Sequence, residues 1–206
     1  HRGAANANTN AAGISAARGA GLVAAAITIA GVVNPTLAAN GQDLRYYDRT
    51  SGKFFARRTD GTVAPLSDRV FHQVSQVTWS PDRSRALLEY PDGANIIYDF
   101  KRDRAVTVPA HWEAFSFSPR GDALVAKSIS SDVDNVALVT TDAEGSSVRM
   151  IASLGSKADQ VIPAWSPADT AVAMLVEHLD GDRQEIFFFG KNDENYKSVV
   201  VEGWGF

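Results

Sequence analysis

From Asp43 onward, runs rich in Val, Ile, Leu and aromatic residues alternate with Gly, Pro, Asp, Asn and Ser. That is the texture of short strands separated by turns. Asp43–Asp48, Phe54–Arg57 and Thr62–Leu66 read as three strands, with Asp60-Gly61 as a hairpin turn, because Gly takes positive φ at little cost. A second group follows with Val74–Ser80, Arg85–Tyr90, Ala94–Phe100 and Ala105–Val108. A third holds Glu113–Ser118, Ala123–Ile129, Asn135–Thr140 and Ser147–Ile151. The last holds Val161–Ser166, Ala171–His178, Glu185–Phe189 and Lys197–Glu202.

One short motif sets the phase of these groups. Trp79-Ser80-Pro81, Phe117-Ser118-Pro119 and Trp165-Ser166-Pro167 each close the first strand of a group, at spacings of 38 and 48 residues. Repeats of roughly 40–50 residues built from four strands predict propeller blades. The reasons are local. Pro lacks an N–H and fixes φ, so it ends the ladder and sets the turn. The Ser hydroxyl can hold a nearby backbone amide. The aromatic before it offers a large rigid surface for the wedge between neighbouring sheets. All nine residues are therefore expected to be structural. The predicted fold is an all-β β-propeller of four-stranded antiparallel blades, three of them full (74–111, 112–160, 161–206). Residues 43–73 are expected to form a partial blade whose first strand is absent or disguised. A further aromatic-Ser-Pro copy falls due just where the sequence stops, at Gly203-Trp204-Gly205-Phe206, so a piece of a larger propeller is expected rather than a closed four-bladed one.

Residues 1–42 differ in texture. Residues 1–18 are mostly Ala, Asn, Gly and Thr, and no Asp or Glu precedes Asp43. Residues 19–33 carry no charge and are weakly apolar, with Arg2 and Arg18 on their N-terminal side. Fifteen such residues are short for a bilayer span, which needs about 20. They suit an export signal or membrane anchor, with the small residues Thr36-Leu37-Ala38-Ala39 as a place for cleavage. The alternative is an Ala-rich helix or a buried strand packed on the body.

Charge and candidate chemistry narrow the function. With both leader arginines set aside, the body holds 18 basic and 24 acidic residues, which argues against sequence-independent nucleic-acid binding. The chain has no cysteine, so disulfides and thiolate zinc sites are excluded. The four histidines, His1, His72, His111 and His178, form no metal-binding pair by spacing. No G-x-S-x-G elbow, P-loop or dinucleotide fingerprint occurs; Gly13-Ile14-Ser15-Ala16-Ala17 lacks the closing Gly. Asp132 and Asp134 could face one side as a calcium loop, but a solvated loop is the expected reading. Asp180-Gly181-Asp182 reads as a hairpin turn. His111-Trp112 and Tyr196 are read as exposed loop aromatics that could join a partner surface. No catalytic residue, cofactor or metal is expected.

The run Trp165-Ser166-Pro167-Ala168-Asp169, then Ala-Val-Ala-Met-Leu-Val, then Gln184-Glu185-Ile186-Phe187-Phe188-Phe189 resembles the repeat of TolB-like, or PD40-type, propellers. It also resembles the propellers of prolyl-oligopeptidase-type peptidases. The resemblance covers 74–206 well and 43–73 loosely. It departs from the pattern where Gly is usual, since Arg83-Ser84 and Asp169-Thr170 stand there while Arg120-Gly121 keeps the Gly. It does not reach 1–42, and it implies a non-enzymatic scaffold for protein partners in the cell envelope, extracytoplasmic, for which the apolar segment 19–33 is the expected tether. The alternatives are the non-catalytic propeller of a serine peptidase, or an accessory subunit of a membrane assembly.

Overall fold

The computed structural model describes residues 31–180, 182–192 and 195–202, side chains at 195–198 and 202 excepted. Among them are four sheets of four antiparallel strands, each a simple meander in chain order. The first holds β1 (Val32–Leu37), β2 (Leu44–Asp48), β3 (Lys53–Arg57) and β4 (Val63–Pro65). The second holds β5 (Gln76–Trp79), β6 (Arg85–Glu89), β7 (Asn95–Asp99) and β8 (Arg104–Val108). The third holds β9 (Trp112–Phe117), β10 (Ala123–Ser128), β11 (Ala137–Asp142) and β12 (Arg149–Ser153). The fourth holds β13 (Val161–Pro163), β14 (Ala171–His178), β15 (Arg183–Gly190) and β16 (Asn195–Glu202).

The first sheet departs from expectation. Residues 43–73 are not a partial unit, because their inner strand is β1, inside the stretch read as leader. It pairs antiparallel with β2, Val33 opposite Tyr47 and Leu37 opposite Leu44. The boundary at residue 42 therefore moves back to 31. Of the apolar segment 19–33, residues 19–30 lie outside the described residues, while Val32 and Val33 open β1. Thr36-Leu37-Ala38-Ala39 belongs to this strand and its turn.

The turn explains why β1 escaped notice. In the second sheet Arg83 N donates to Ser80 O (2.9 Å), Ser80 N to Arg85 O (3.0 Å) and Arg85 N to Ser80 Oγ (2.9 Å). The third repeats the pattern around Ser118, Gly121 and Ala123, and the fourth around Ser166, Asp169 and Ala171. In the first sheet Ala38 N donates to Asp43 O (2.7 Å) and Gly41 N to Ala38 O (2.9 Å), the same ring of bonds without Ser or Pro. The hydroxyl's task passes to Asn40, whose Oδ1 accepts from both Gln42 N and Asp43 N (3.0 Å each). The fourth position of every turn has positive φ: Gly41 67°, Arg83 59°, Gly121 69° and Asp169 58°. For Gly this is free; for Arg83 and Asp169 it is a strained conformation that neighbouring bonds must hold. Arg83 is held by its guanidinium, which donates to Ser80 O, Pro81 O and Leu37 O. Asp169 is held by Trp165 Nε1 (2.8 Å) and Lys191 Nζ (2.5 Å). At Gly121 a Cβ would also meet Ser80 Cβ and Asp82 Oδ1 at 3.1 Å, so the second and third turns touch there.

The second and third sheets are buried on both faces by their neighbours, and the first and fourth each share one core with the sheet beside them. Along β6, Ala86 and Leu88 join the core shared with the first sheet, and Leu87 the core shared with the third. Along β10, Leu124 and Ala126 face the second sheet and Val125 the fourth. This period of two is the strand geometry itself, and it explains why β6 and β10 are apolar without alternation. The motif aromatics sit in these seams. Trp79 stacks on Phe100 (5.5 Å between centroids) and meets Phe54 edge-on (5.3 Å). Phe117 is buried against the second sheet, and Trp165 packs on the core between the third and fourth. Phe54 is the hub of the first seam, with Tyr47, Phe71, Trp79 and Phe100 around it.

Two turn substitutions separate these roles. Ser118→Ala leaves two amides that Ser118 Oγ now accepts, Asp122 N and Ala123 N (3.1 Å each), without their partner. It should destabilise by about 1–2 kcal/mol in chemical denaturation. Ala38→Ser should gain little, because Asn40 already satisfies the corresponding amides.

Candidate functional site

The meanders place two kinds of turn at opposite ends of every sheet. The Ser-Pro turns and the turns between third and fourth strands share one end. The second-to-third turns and the segments leading to the next sheet share the other. At the Ser-Pro end, consecutive turns are latched. Arg45 Nη1 donates to Arg83 O (2.5 Å) across the first seam, and Arg85 Nη1 to Gly121 O (3.0 Å) across the second. Arg85 Nε also stands 3.1 Å from Asp99 Oδ2, and Glu144 bridges to Arg102 (2.5 Å) and Arg104 (2.8 Å).

The other end holds a cleft of about 390 Å3 at the second seam. Gln76, Glu89, Tyr90 and Asn95 line it from the second sheet, and His111, Trp112 and Ile129 from the third. The floor is fixed by Asn95 Nδ2, which donates to Trp112 O (3.0 Å) and is itself buried. Ser75 Oγ donates to Glu89 O (2.7 Å) and pins the end of β6. The Glu89 carboxylate is half-buried and makes no hydrogen bond or ion pair with any described residue. Burial pushes its pKa above the ordinary carboxylate value. A more open recess lies near the first seam, lined by Arg49, Gln73, Val74, Ser75 and Pro91, where Arg49 Nη2 donates to Ser75 O (3.3 Å).

The residues singled out by sequence fall as follows. Ser80, Ser118 and Ser166, with Pro81, Pro119 and Pro167, form the turns at the latched end, away from the cleft. His111 is exposed at the cleft rim, but Trp112 is not the exposed aromatic expected: it is 6% exposed and belongs to the second seam. The side chain of Tyr196 lies outside the described residues. Asp132 caps a 3-10 helix (Val133–Asn135), accepting from Asp134 N (3.1 Å) and Asn135 Nδ2 (2.8 Å), so its oxygens are already engaged. Asp180 accepts from Asp182 N (3.1 Å) and Arg183, as a turn residue does; Gly181 and Gly203-Trp204-Gly205-Phe206 lie outside the described residues. Among the described residues, no three His, Asp or Glu side chains are grouped to hold a metal, and no helix is long and apolar enough to cross a membrane. Glu89 was missed because in sequence it is one carboxylate beside a turn.

Comparison with solved structures follows the fold. A candidate TolB from Agrobacterium tumefaciens superposes with a TM-score of 0.50 at 14% identity, covering 81% of this chain. The fold is that of β-propeller blades. The chain spans 64% of that protein's length. The tricorn protease gives a TM-score of 0.48 at 17% identity, over 79% of this chain and 16% of the protease. A candidate 6-phosphogluconolactonase from Bacteroides uniformis gives 0.45 at 12% identity, over 84% and 55% of the two chains. At these identities the likeness concerns fold alone. No protein-family model and no curated protein matches the sequence. The four sheets are thus blades 1 to 4, and the cleft lies between blades 2 and 3.

Glu89 makes a signed prediction. A carboxyl whose folded pKa is raised costs stability above its unfolded value, about 4.3, and the cost disappears as pH falls below that. His111 and Glu113 also line the cleft but remain in the variant. Glu89→Gln should therefore raise Tm relative to the parent chain at pH 7, and the gain should vanish near pH 4.

Proposed function

We propose that the chain is a non-enzymatic, TolB-like propeller scaffold that binds a protein partner in the cell envelope through the loop end of blades 2 and 3. The observation that carries this reading is the cleft itself, where a half-buried carboxylate is left without a partner among the described residues, beside Tyr90, Trp112 and Ile129. The Ser-Pro end, by contrast, is tied by backbone-directed serine and arginine bonds and leaves little for a ligand to take up. The uncharged residues 19–30, which precede β1 and have arginines before them, support an envelope location and a tether.

A photo-crosslinking residue placed at exposed His111 in native cells tests the reading, with exposed Asp60 at the opposite end of blade 1 as control. The expected result is a discrete protein adduct from the His111 position in the envelope fraction and none from Asp60. Adducts of equal yield from both positions, or a chain confined to the cytosol, would overturn it.

A further inference from the structure

We propose that the cleft between blades 2 and 3 receives a cationic side chain, lysine or arginine, presented by a protein partner, with the Glu89 carboxylate as its counter-ion. This rests on the scaffold reading and gives the partner a chemistry. The argument comes from comparing the seams of one chain with each other. Counting from the first residue of each blade's turn, the ninth residue on is Tyr47 after Ala38, Glu89 after Ser80 and Lys127 after Ser118. All three lie at the loop end of the blade's second strand or its last residues.

In two of the three seams this position bonds across to the incoming chain. The Tyr47 hydroxyl donates to Phe71 O, in the segment leading to the inner strand of blade 2. Lys127 Nζ donates to Ala158 O (3.2 Å), in the segment leading to the inner strand of blade 4, and stands 3.4 Å from Glu113 Oε1. Both side chains are donors, and both meet a carbonyl of the incoming chain. Glu89 occupies the same place in the middle seam, and an ionised carboxylate can only accept. It cannot bond a carbonyl, and there the cleft opens.

The missing piece is therefore a donor, and Lys127 shows its form. A long apolar stem bearing an ammonium fits a cleft where Tyr90, Trp112 and Ile129 stand among the polar Gln76, Asn95, His111 and Glu113, with the charge against Glu89. At about 390 Å3 the cleft is near the lower end of the roughly 300–1,000 Å3 of small-ligand sites, room for one such side chain. A half-buried ion pair is less screened by water than a surface pair. The raised pKa of Glu89 has the same origin, since a carboxylate short of solvent gains most from an arriving cation.

The test uses the full chain and a capped peptide, acetyl-Gly-Gly-Lys-Gly-Gly-amide, titrated to millimolar concentration and followed by amide chemical shifts. Shifts are expected at Gln76, Glu89, Asn95 and Trp112, and are not expected with the norleucine counterpart, which keeps the stem and lacks the charge. Glu89→Gln should weaken the lysine peptide by about tenfold or more. Glu89→Lys, which supplies the donor from within as Lys127 does, should abolish binding while the spectrum stays dispersed. Silence of the lysine peptide, equal binding of the norleucine peptide or unchanged affinity in Glu89→Gln would overturn the inference. Free butylammonium binding as tightly as the peptide would overturn the partner side chain as the source. The crosslink at position 111 separates the two readings. An adduct undiminished by Glu89→Gln leaves the scaffold standing without the cation site, whereas peptide binding with no adduct does the reverse.

Discussion

A four-stranded sheet that is apolar on both faces cannot stand alone in water, and every other feature of this chain follows from covering those faces with the next sheet. Alternate side chains of one strand enter different cores: Leu87 serves the seam with blade 3 while Ala86 and Leu88 serve the seam with blade 1. A slip of one residue would exchange the two sets, so register must be pinned at every strand end. The turns do this. The αL residue at the fourth position and the bonds between first and sixth positions fix where the second strand begins. Phe54, Trp79 and Phe100 then fill the wedge that the twist of neighbouring sheets leaves open.

How much of this was legible depended on which residue met each requirement. Blades 2 to 4 announce their turn with Ser-Pro, so their strands could be placed within a residue or two in most cases. Blade 1 makes the same turn from Ala38, Ala39, Asn40 and Gly41. What the turn needs is positive φ at the fourth residue and an acceptor for the sixth residue's amide. Gly41 and Asn40 supply both, and neither Ser nor Pro is required. Those small residues also look like a cleavage region, and Val32 and Val33 look like the tail of an apolar segment. Propensity alone does not separate the two, whereas pairing with Leu44–Asp48 does. Trp112 misled in the opposite way: it follows a polar loop, yet it begins an inner strand and turns into the seam.

The cleft was not legible from composition or motif, because a single glutamate at a strand end is the commonest of surface residues. It becomes visible when the chain is aligned with itself. Tyr47, Glu89 and Lys127 share one position, and only the middle one lacks a hydrogen to give. A repeat protein offers this comparison within one sequence. The seams are built alike, so a departure in one of them marks where the demands of packing have been relaxed.

The two ends of the blades divide the labour accordingly. At the Ser-Pro end, Arg45 and Arg85 each cross a seam to the carbonyl of the next turn's αL residue, so two strained or close-packed turns are held from outside their own sheet. An end whose donors and carbonyls are committed in this way resists both opening and new partners, since a ligand would have to break bonds before forming its own. At the loop end Tyr47 and Lys127 cross the first and third seams, with Arg49 beside Tyr47 and Asn95 crossing the middle seam to Trp112 O. Replacing one such strut by a carboxylate opens a cleft without touching the turns that set register. A binding site can thus arise at the middle seam at small cost to the fold, because the structure there depends on the apolar core beneath Glu89 and not on Glu89 itself.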